Sequence, residues 1–187
     1  MVKDLEDTFP KALEHLNAKK PVDYAKLRVL VMGHSLGGSL ASAVFAKCSN
    51  FTVQSRILID ITEDTAVASL PGMEAILRRR PQHYASMEEV VQNLIRTRTL
   101  MNSRSARIQL PGLVDESLNS RADLSKTKDF WLGWFKGMND RFIESSAWKL
   151  LLVSTLEKLD RAHEIAMMQG KIAVEVIPGC IHNLHED

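Results

Sequence analysis

Nothing in this sequence argues for a disulfide scaffold, a membrane span or a polyanion partner. Two cysteines, Cys48 and Cys180, stand alone in 187 residues. They are too few and too far apart for a disulfide framework or a thiolate metal site, and they read as reduced packing residues. The longest apolar runs are far too short to cross a bilayer, and the opening Met1-Val2-Lys3-Asp4 is charged rather than signal-like. The 24 Lys+Arg balance 23 Asp+Glu, for a net charge of +1, which removes the electrostatic case for nucleic acid or an anionic membrane. Linkers, repeats and low-complexity tracts are lacking too. What remains is 45% hydrophobic and 25% charged, enough for one domain with a real core. A cytoplasmic or nuclear location is the expectation, with no metal and no cofactor.

The most informative stretch is Val29-Leu-Val-Met-Gly33-His34-Ser35-Leu36-Gly37-Gly38-Ser39. An aliphatic run over 28–32 reads as a strand, and a helical pattern follows to about residue 47. Gly-x-Ser-x-Gly between a strand and a helix is the nucleophile-elbow pattern of α/β-hydrolases. The turn is expected to be too tight for side chains at Gly33 and Gly37, and to lift the Ser35 hydroxyl out at the carboxyl end of the sheet. The helix that follows aims its amino-terminal N–H groups at the same place, so the N–H of Leu36 can donate to a developing oxyanion.

The rest of the chain alternates strand and helix patterns. Residues 4–18 carry Leu5, Phe9, Ala12, Leu13 and Leu16 at helical spacing, with Pro10 as a possible start and Lys19-Lys20-Pro21 as the stop. Ser49-Asn50 breaks the second helix. A second strand lies within 54–61, a third over 149–154 and a fourth over 172–177. The middle, residues 64–145, lacks clear strands. There 73–80 looks helical, Ser86-Met-Glu-Glu89 is a capping box, and Phe130, Trp131, Trp134 and Phe135 cluster. The expectation is an α/β fold, a parallel sheet of about four strands, with residues 64–145 inserted as a helical cap. The aromatic cluster is assigned to the cap core rather than to substrate. Arg78-Arg79-Arg80 reads as a solvated helix end that could also receive a carboxylate.

A serine needs an imidazole to take its proton and a carboxylate to orient that imidazole. The hydrolase order is Ser, acid, His. His182 falls just after the last strand, where the base belongs, with His185 as its competitor. His15, His34, His83 and His163 precede that strand or sit in helical stretches. For the acid, Asp60 ends the second strand, whereas Glu157 and Asp160 follow the third, and spacing alone does not separate them.

Several segments in order resemble the protein phosphatase methylesterases: the elbow, Leu58-Ile-Asp60-Ile-Thr-Glu-Asp-Thr-Ala, Leu77-Arg-Arg-Arg-Pro81, Lys126-Thr-Lys-Asp-Phe-Trp-Leu-Gly-Trp-Phe-Lys-Gly137, Met168-Gln-Gly-Lys171 and Cys180-Ile181-His182-Asn-Leu-His-Glu-Asp187. The resemblance implies a serine esterase that removes the methyl ester from the C-terminal leucine of the catalytic subunit of type 2A protein phosphatase. It also implies Asp60 as the acid and His182 as the base.

Three departures qualify that expectation. The family's early strands and its His-Gly-Gly loop, source of a second oxyanion donor, have no counterpart here, and losing one such donor typically costs about 100- to 1000-fold in rate. The family continues past the position of Asp187 into a helix. Ile181 stands where a glycine usually precedes the histidine, and Ser154-Thr-Leu-Glu157 replaces Ala-Gly-x-Asp. An elbow strand left at a sheet edge is expected to make the chain poorly soluble or dependent on a partner. An esterase is therefore one expectation. A catalytically impaired homologue that serves as a phosphatase-binding module is the alternative. A broad-specificity lipase is a third, opposed by the cap motifs.

Overall fold

A computed structural model describes residues 1–19, 23, 26–44, 52–121 and 124–187. Cys48, Lys20-Pro21 and the Ser49-Asn50 break lie outside these residues. In chain order the elements are α1 (Val2–Lys19), β1 (Arg28–His34), α2 (Leu36–Val44), β2 (Thr52–Ile59), α3 (Glu63–Arg79), α4 (Met87–Arg96), α5 (Ser103–Leu113), a 3-10 turn (Leu124–Phe130), α6 (Trp131–Phe135), α7 (Met138–Ile143), β3 (Trp148–Val153), α8 (Arg161–Met168) and β4 (Ala173–Val176). The four strands form one parallel sheet in the order β1-β2-β3-β4. Each parallel neighbour is reached by a helical crossover, as parallel pairing requires. Between β2 and β3 that crossover is the whole 63–143 segment. Among the described residues it holds no strand, only the single bridges His83–Asn119 and Val114–Ser120.

Strand side chains alternate between faces. Leu58, Leu151 and Val153 point to one face and pack with Met138 and Phe142 of α7 and Ala166 of α8. Ile57 and Ile59 point to the other, where Leu184, Ile177 and Cys180 meet them near the carboxyl end of the sheet. Cys180 is a half-buried free thiol in that cluster. A separate core of Tyr84, Val90, Val91, Leu94, Leu100, Ala106 and Val114 holds α4 and α5 together.

Several elements differ from the sequence reading. α1 runs through Pro10 instead of starting there, and none of its residues is buried; Leu5 and Leu16 of its apolar stripe are exposed. Proline forfeits one helical hydrogen bond, which the turns on either side tolerate. α3 begins at Glu63, ten residues before the expected start, and passes through Pro71. Its first turn is capped from a distance: Asn139 Oδ1 accepts from Glu63 N–H (3.2 Å), and Asp160 Oδ2 accepts from Asp64 N–H (2.8 Å). The Ser86 capping box forms, with Ser86 Oγ accepting from Glu89 N–H at 3.1 Å. The aromatic cluster divides, since Trp131 is buried and Phe135 joins the sheet core while Phe130 is exposed.

Candidate active site

Three elements converge beyond the carboxyl ends of β1, β2 and β4. At the end of β1, Ser35 turns the chain into α2 with φ +50°, a left-handed conformation that costs a non-glycine residue strain. Its N–H continues the ladder to the Ile59 carbonyl (3.0 Å), and its own carbonyl accepts from Gly38 N–H (2.9 Å). Leu36 opens α2, so its N–H lies at the positive end of that helix. A Cβ on Gly33 would lie 2.4 Å from Gly38 Cα, and one on Gly38 would lie 2.8 Å from the Gly33 carbonyl oxygen. The close pair is therefore Gly33 with Gly38. Gly37, expected to share the crowding, has open space where its side chain would be, because it lies one residue along the helix turn from the strand contact.

Asp60 follows β2 with φ +49°. Its N–H donates to the Leu152 carbonyl (2.8 Å), which locks the turn to β3. The buried carboxylate is fully engaged. Oδ1 accepts from Ser154 N–H (3.1 Å) and Ser154 Oγ (3.3 Å); Oδ2 accepts from Lys158 Nζ (2.5 Å) and His182 Nδ1 (2.9 Å). Burial alone would raise this carboxyl. The hydrogen bonds from His182, Lys158 and Ser154 outweigh burial and bring it from 3.8 down to about 2.

His182 reaches the site from the loop after β4. Nδ1 donates to Asp60, which leaves Nε2 to accept from Ser35 Oγ at 2.9 Å. Ser35, His182 and Asp60 thus form one hydrogen-bonded line. His34 Nε2 bonds the His182 carbonyl at 2.9 Å, and the His34 ring packs 4.7 Å from His182 and 4.5 Å from His185. Burial lowers the His34 imidazole below its ordinary value, against that hydrogen bond. The neutral ring carries the Nε2–H that donates.

None of the competing residues joins that line. Asp160 accepts from Asp64 N–H and from Asn139 Nδ2, each at 2.8 Å, and ties α3 to α7 and α8. Glu157 is exposed. His185 pairs with Glu186 at 3.2 Å, and His163 is buried in α8. Ser154 and Lys158 were missed by sequence reasoning. Ser154 directly follows β3, a position that could have flagged it; Lys158 gave no signal. A cavity of about 480 Å³ within the 63–143 segment is bordered by Arg79, Arg80, Tyr84 and Leu94, but by none of the three in-line residues. Arg78 pairs with Glu74. Among the described residues no group of three or more His, Cys, Asp or Glu could hold a metal ion, and no helix is long and apolar enough to cross a membrane.

Comparison with known proteins adds to this geometry. The chain is 32% identical over 164 residues to protein phosphatase methylesterase 1 of Schizosaccharomyces pombe, covering 86% of this chain and 48% of that protein. It is 34% identical over 164 residues to the probable protein phosphatase methylesterase 1 of Caenorhabditis elegans, covering 85% and 45%. It thus spans about half the length of the curated relatives it matches. Among solved structures it superposes on E-2-(acetamidomethylene)succinate hydrolase with a TM-score of 0.73 at 18% identity, covering 100% of this chain and 68% of the other. On an esterase of M. tuberculosis the TM-score is 0.64 at 16% identity, with 100% and 64% covered. These likenesses speak for the fold. The sequence profile described as "Alpha/beta hydrolase family" matches residues 3–187, and so the chain belongs to the alpha/beta hydrolase family.

Proposed function

We propose that this chain carries the catalytic centre of a serine carboxylesterase. Its substrate is the methyl ester on the C-terminal leucine of the catalytic subunit of type 2A protein phosphatase. The observation that carries the esterase chemistry is the line Ser35 Oγ–His182 Nε2 (2.9 Å) and His182 Nδ1–Asp60 Oδ2 (2.9 Å). The phosphatase substrate rests on the methylesterase relatives. Ser35 Oγ attacks the ester carbonyl carbon as its proton passes to His182 Nε2, and Asp60 stabilises the imidazolium. The N–H of Leu36 faces the oxyanion. Collapse breaks the bond to the methoxy oxygen, which takes the proton from His182 and leaves as methanol. Water then gives its proton to His182 and attacks the acyl carbon; Ser35 recovers a proton and the leucine carboxylate is released. Residues 64–145 act as the cap over this site, and Gly33, His34 and Gly37 belong to the elbow. The setting is cytoplasmic or nuclear, with no cofactor.

The alternative is a phosphatase-binding module that does not turn over. Labelling of this chain with a fluorophosphonate, with Ser35→Ala as control and with or without methylated phosphatase, separates the two. Labelling lost in Ser35→Ala supports the esterase. Labelling only with phosphatase present means that the partner completes the site. A folded chain that labels in neither condition leaves the binding module.

A further inference from the structure

The loop that bears His182 is fastened to the helical segment by side chains for which the reaction has no other use. Asp187 spans the junction. Its Oδ1 accepts from Met101 N–H (2.7 Å) and Asn102 N–H (3.4 Å), and its Oδ2 accepts from Ile181 N–H (3.4 Å), the residue before His182. Asn183 Nδ2, on the other side of His182, donates to the Thr99 carbonyl at 2.7 Å. Ser105 Oγ donates to the Glu186 carbonyl (2.5 Å), and Gln109 Nε2 donates to the Glu186 carboxylate. All five partners lie between residues 99 and 109, in the α4–α5 connection and the first turns of α5.

That connection is itself rigid. Leu100, at its middle, is 0% exposed and sits in the core that joins α4 to α5. The N–H groups of Thr99 and Leu100 both donate to the Leu94 carbonyl. A continuous path of contacts therefore runs from the helical core through Leu100 to Met101 and Thr99, across to Asp187 and Asn183, and into the two residues that flank His182. On the sheet side the same loop is held by Leu184 and Cys180 in the Ile57–Ile59 cluster, by the His34 bond to the His182 carbonyl and by the His182 ring itself on Asp60 and Ser35.

We infer that Asp187, with Asn183, is a positioning residue for the general base: it latches the His182 loop to the helical segment and so sets the Ser35–His182 geometry from the cap side. This rests on the esterase reading above. The helical segment is then part of how the base is aligned, beyond any role as a cover. A displacement of about 1 Å at a catalytic group can cost roughly 100-fold in rate, so loosening the latch acts on chemistry more than on folding.

The test compares Asp187→Ala, Asp187→Asn and Asn183→Ala with the unmodified chain. Amide hydrogen exchange over residues 180–186 and the rate of fluorophosphonate labelling are both read, with thermal melting to confirm folding. Asp187→Ala should speed exchange in the loop about tenfold or more and slow labelling by roughly 10- to 100-fold, with the melt little changed. Asp187→Asn keeps one carbonyl acceptor for Met101 N–H and should recover much of the labelling rate. Asn183→Ala should fall between. Unchanged loop exchange in both alanine variants overturns the inference, as does faster exchange with an unchanged labelling rate. A parent chain that labels neither alone nor with methylated phosphatase sinks the esterase reading, while the exchange data still decide the latch.

Discussion

The two residues at the tightest turns of the site, Ser35 and Asp60, are non-glycine residues at φ +50° and +49°. Such conformations persist only where surrounding contacts enforce them. For Ser35 the enforcing contact is the Gly33–Gly38 approach. Gly33→Ala, with a Cβ 2.4 Å from backbone, should lower stability by about 1–3 kcal/mol and abolish labelling of Ser35. Gly37→Ala has open space inside a helix and should be neutral or stabilising by up to about 1 kcal/mol. Urea titration of the two variants checks both; equal losses would refute the assignment of the tight pair. Ser35 and His182 were legible in the sequence because a motif and a chain order carry them. Asp60 was not separable from Glu157 and Asp160 by spacing, because spacing is blind to which strands pair. β2 is hydrogen-bonded directly to β1, register His34↔Ile59, so a residue just past β2 is carried to the serine. Asp160 lies six residues beyond the end of the 149–154 run that marks β3 in the sequence and turns toward α3 and α7.

At the level of elements, the sheet is unequally covered. α7 and α8 close one face, but on the other Leu30, Met32 and Trp148 are 56%, 55% and 56% exposed. Through the registers Leu30↔Ser55↔Trp148 and Met32↔Ile57 these side chains share that face. β1 also borders the sheet with only β2 paired to it among the described residues. Apolar edge strands of this kind promote association. Leu30→Lys with Met32→Lys should shift the chain from aggregate toward monomer in size-exclusion chromatography with light scattering. An unchanged profile would mean that the bare face does not drive association. Strand positions were readable because aliphatic runs of β-branched residues are distinctive. Helix starts were less readable. Pro10 reads as a helix start and the second pattern reads as beginning only at 73, yet Pro10 and Pro71 both lie inside helices, and distant caps such as Asn139 on Glu63 are invisible to local sequence.

For the molecule as a whole, imidazoles lowered by burial and the Asp60 carboxylate set the response to acid, in two separate ranges. His163 is fully buried with neither ring nitrogen hydrogen-bonded, and burial lowers its value below 6.5 despite Asp160 nearby. Below 6.5 the unfolded chain takes up a proton that the folded chain resists, so stability falls as pH drops through that value. Asp60 acts lower. Its folded value of about 2 against 3.8 contributes stability that is present above 3.8 and lost as pH falls toward 2, worth about 2 kcal/mol at 1.36 kcal/mol per unit. The urea midpoint of the unmodified chain should therefore decline in two stages, one beginning near pH 6.5 and one between about 4 and 2. His163→Leu should shrink the first stage to the share that half-buried His34 contributes and leave the second; at pH 7 it should lose little, because two unsatisfied buried nitrogens go with the ring. Asp60→Asn should remove the second stage and leave the first. Because Lys158 and His182 are among the groups that hold Asp60 down, Lys158→Met should move the second stage to higher pH without touching the first. A single acid transition common to all four proteins would refute the division, and would mean that other carboxylates govern acid unfolding.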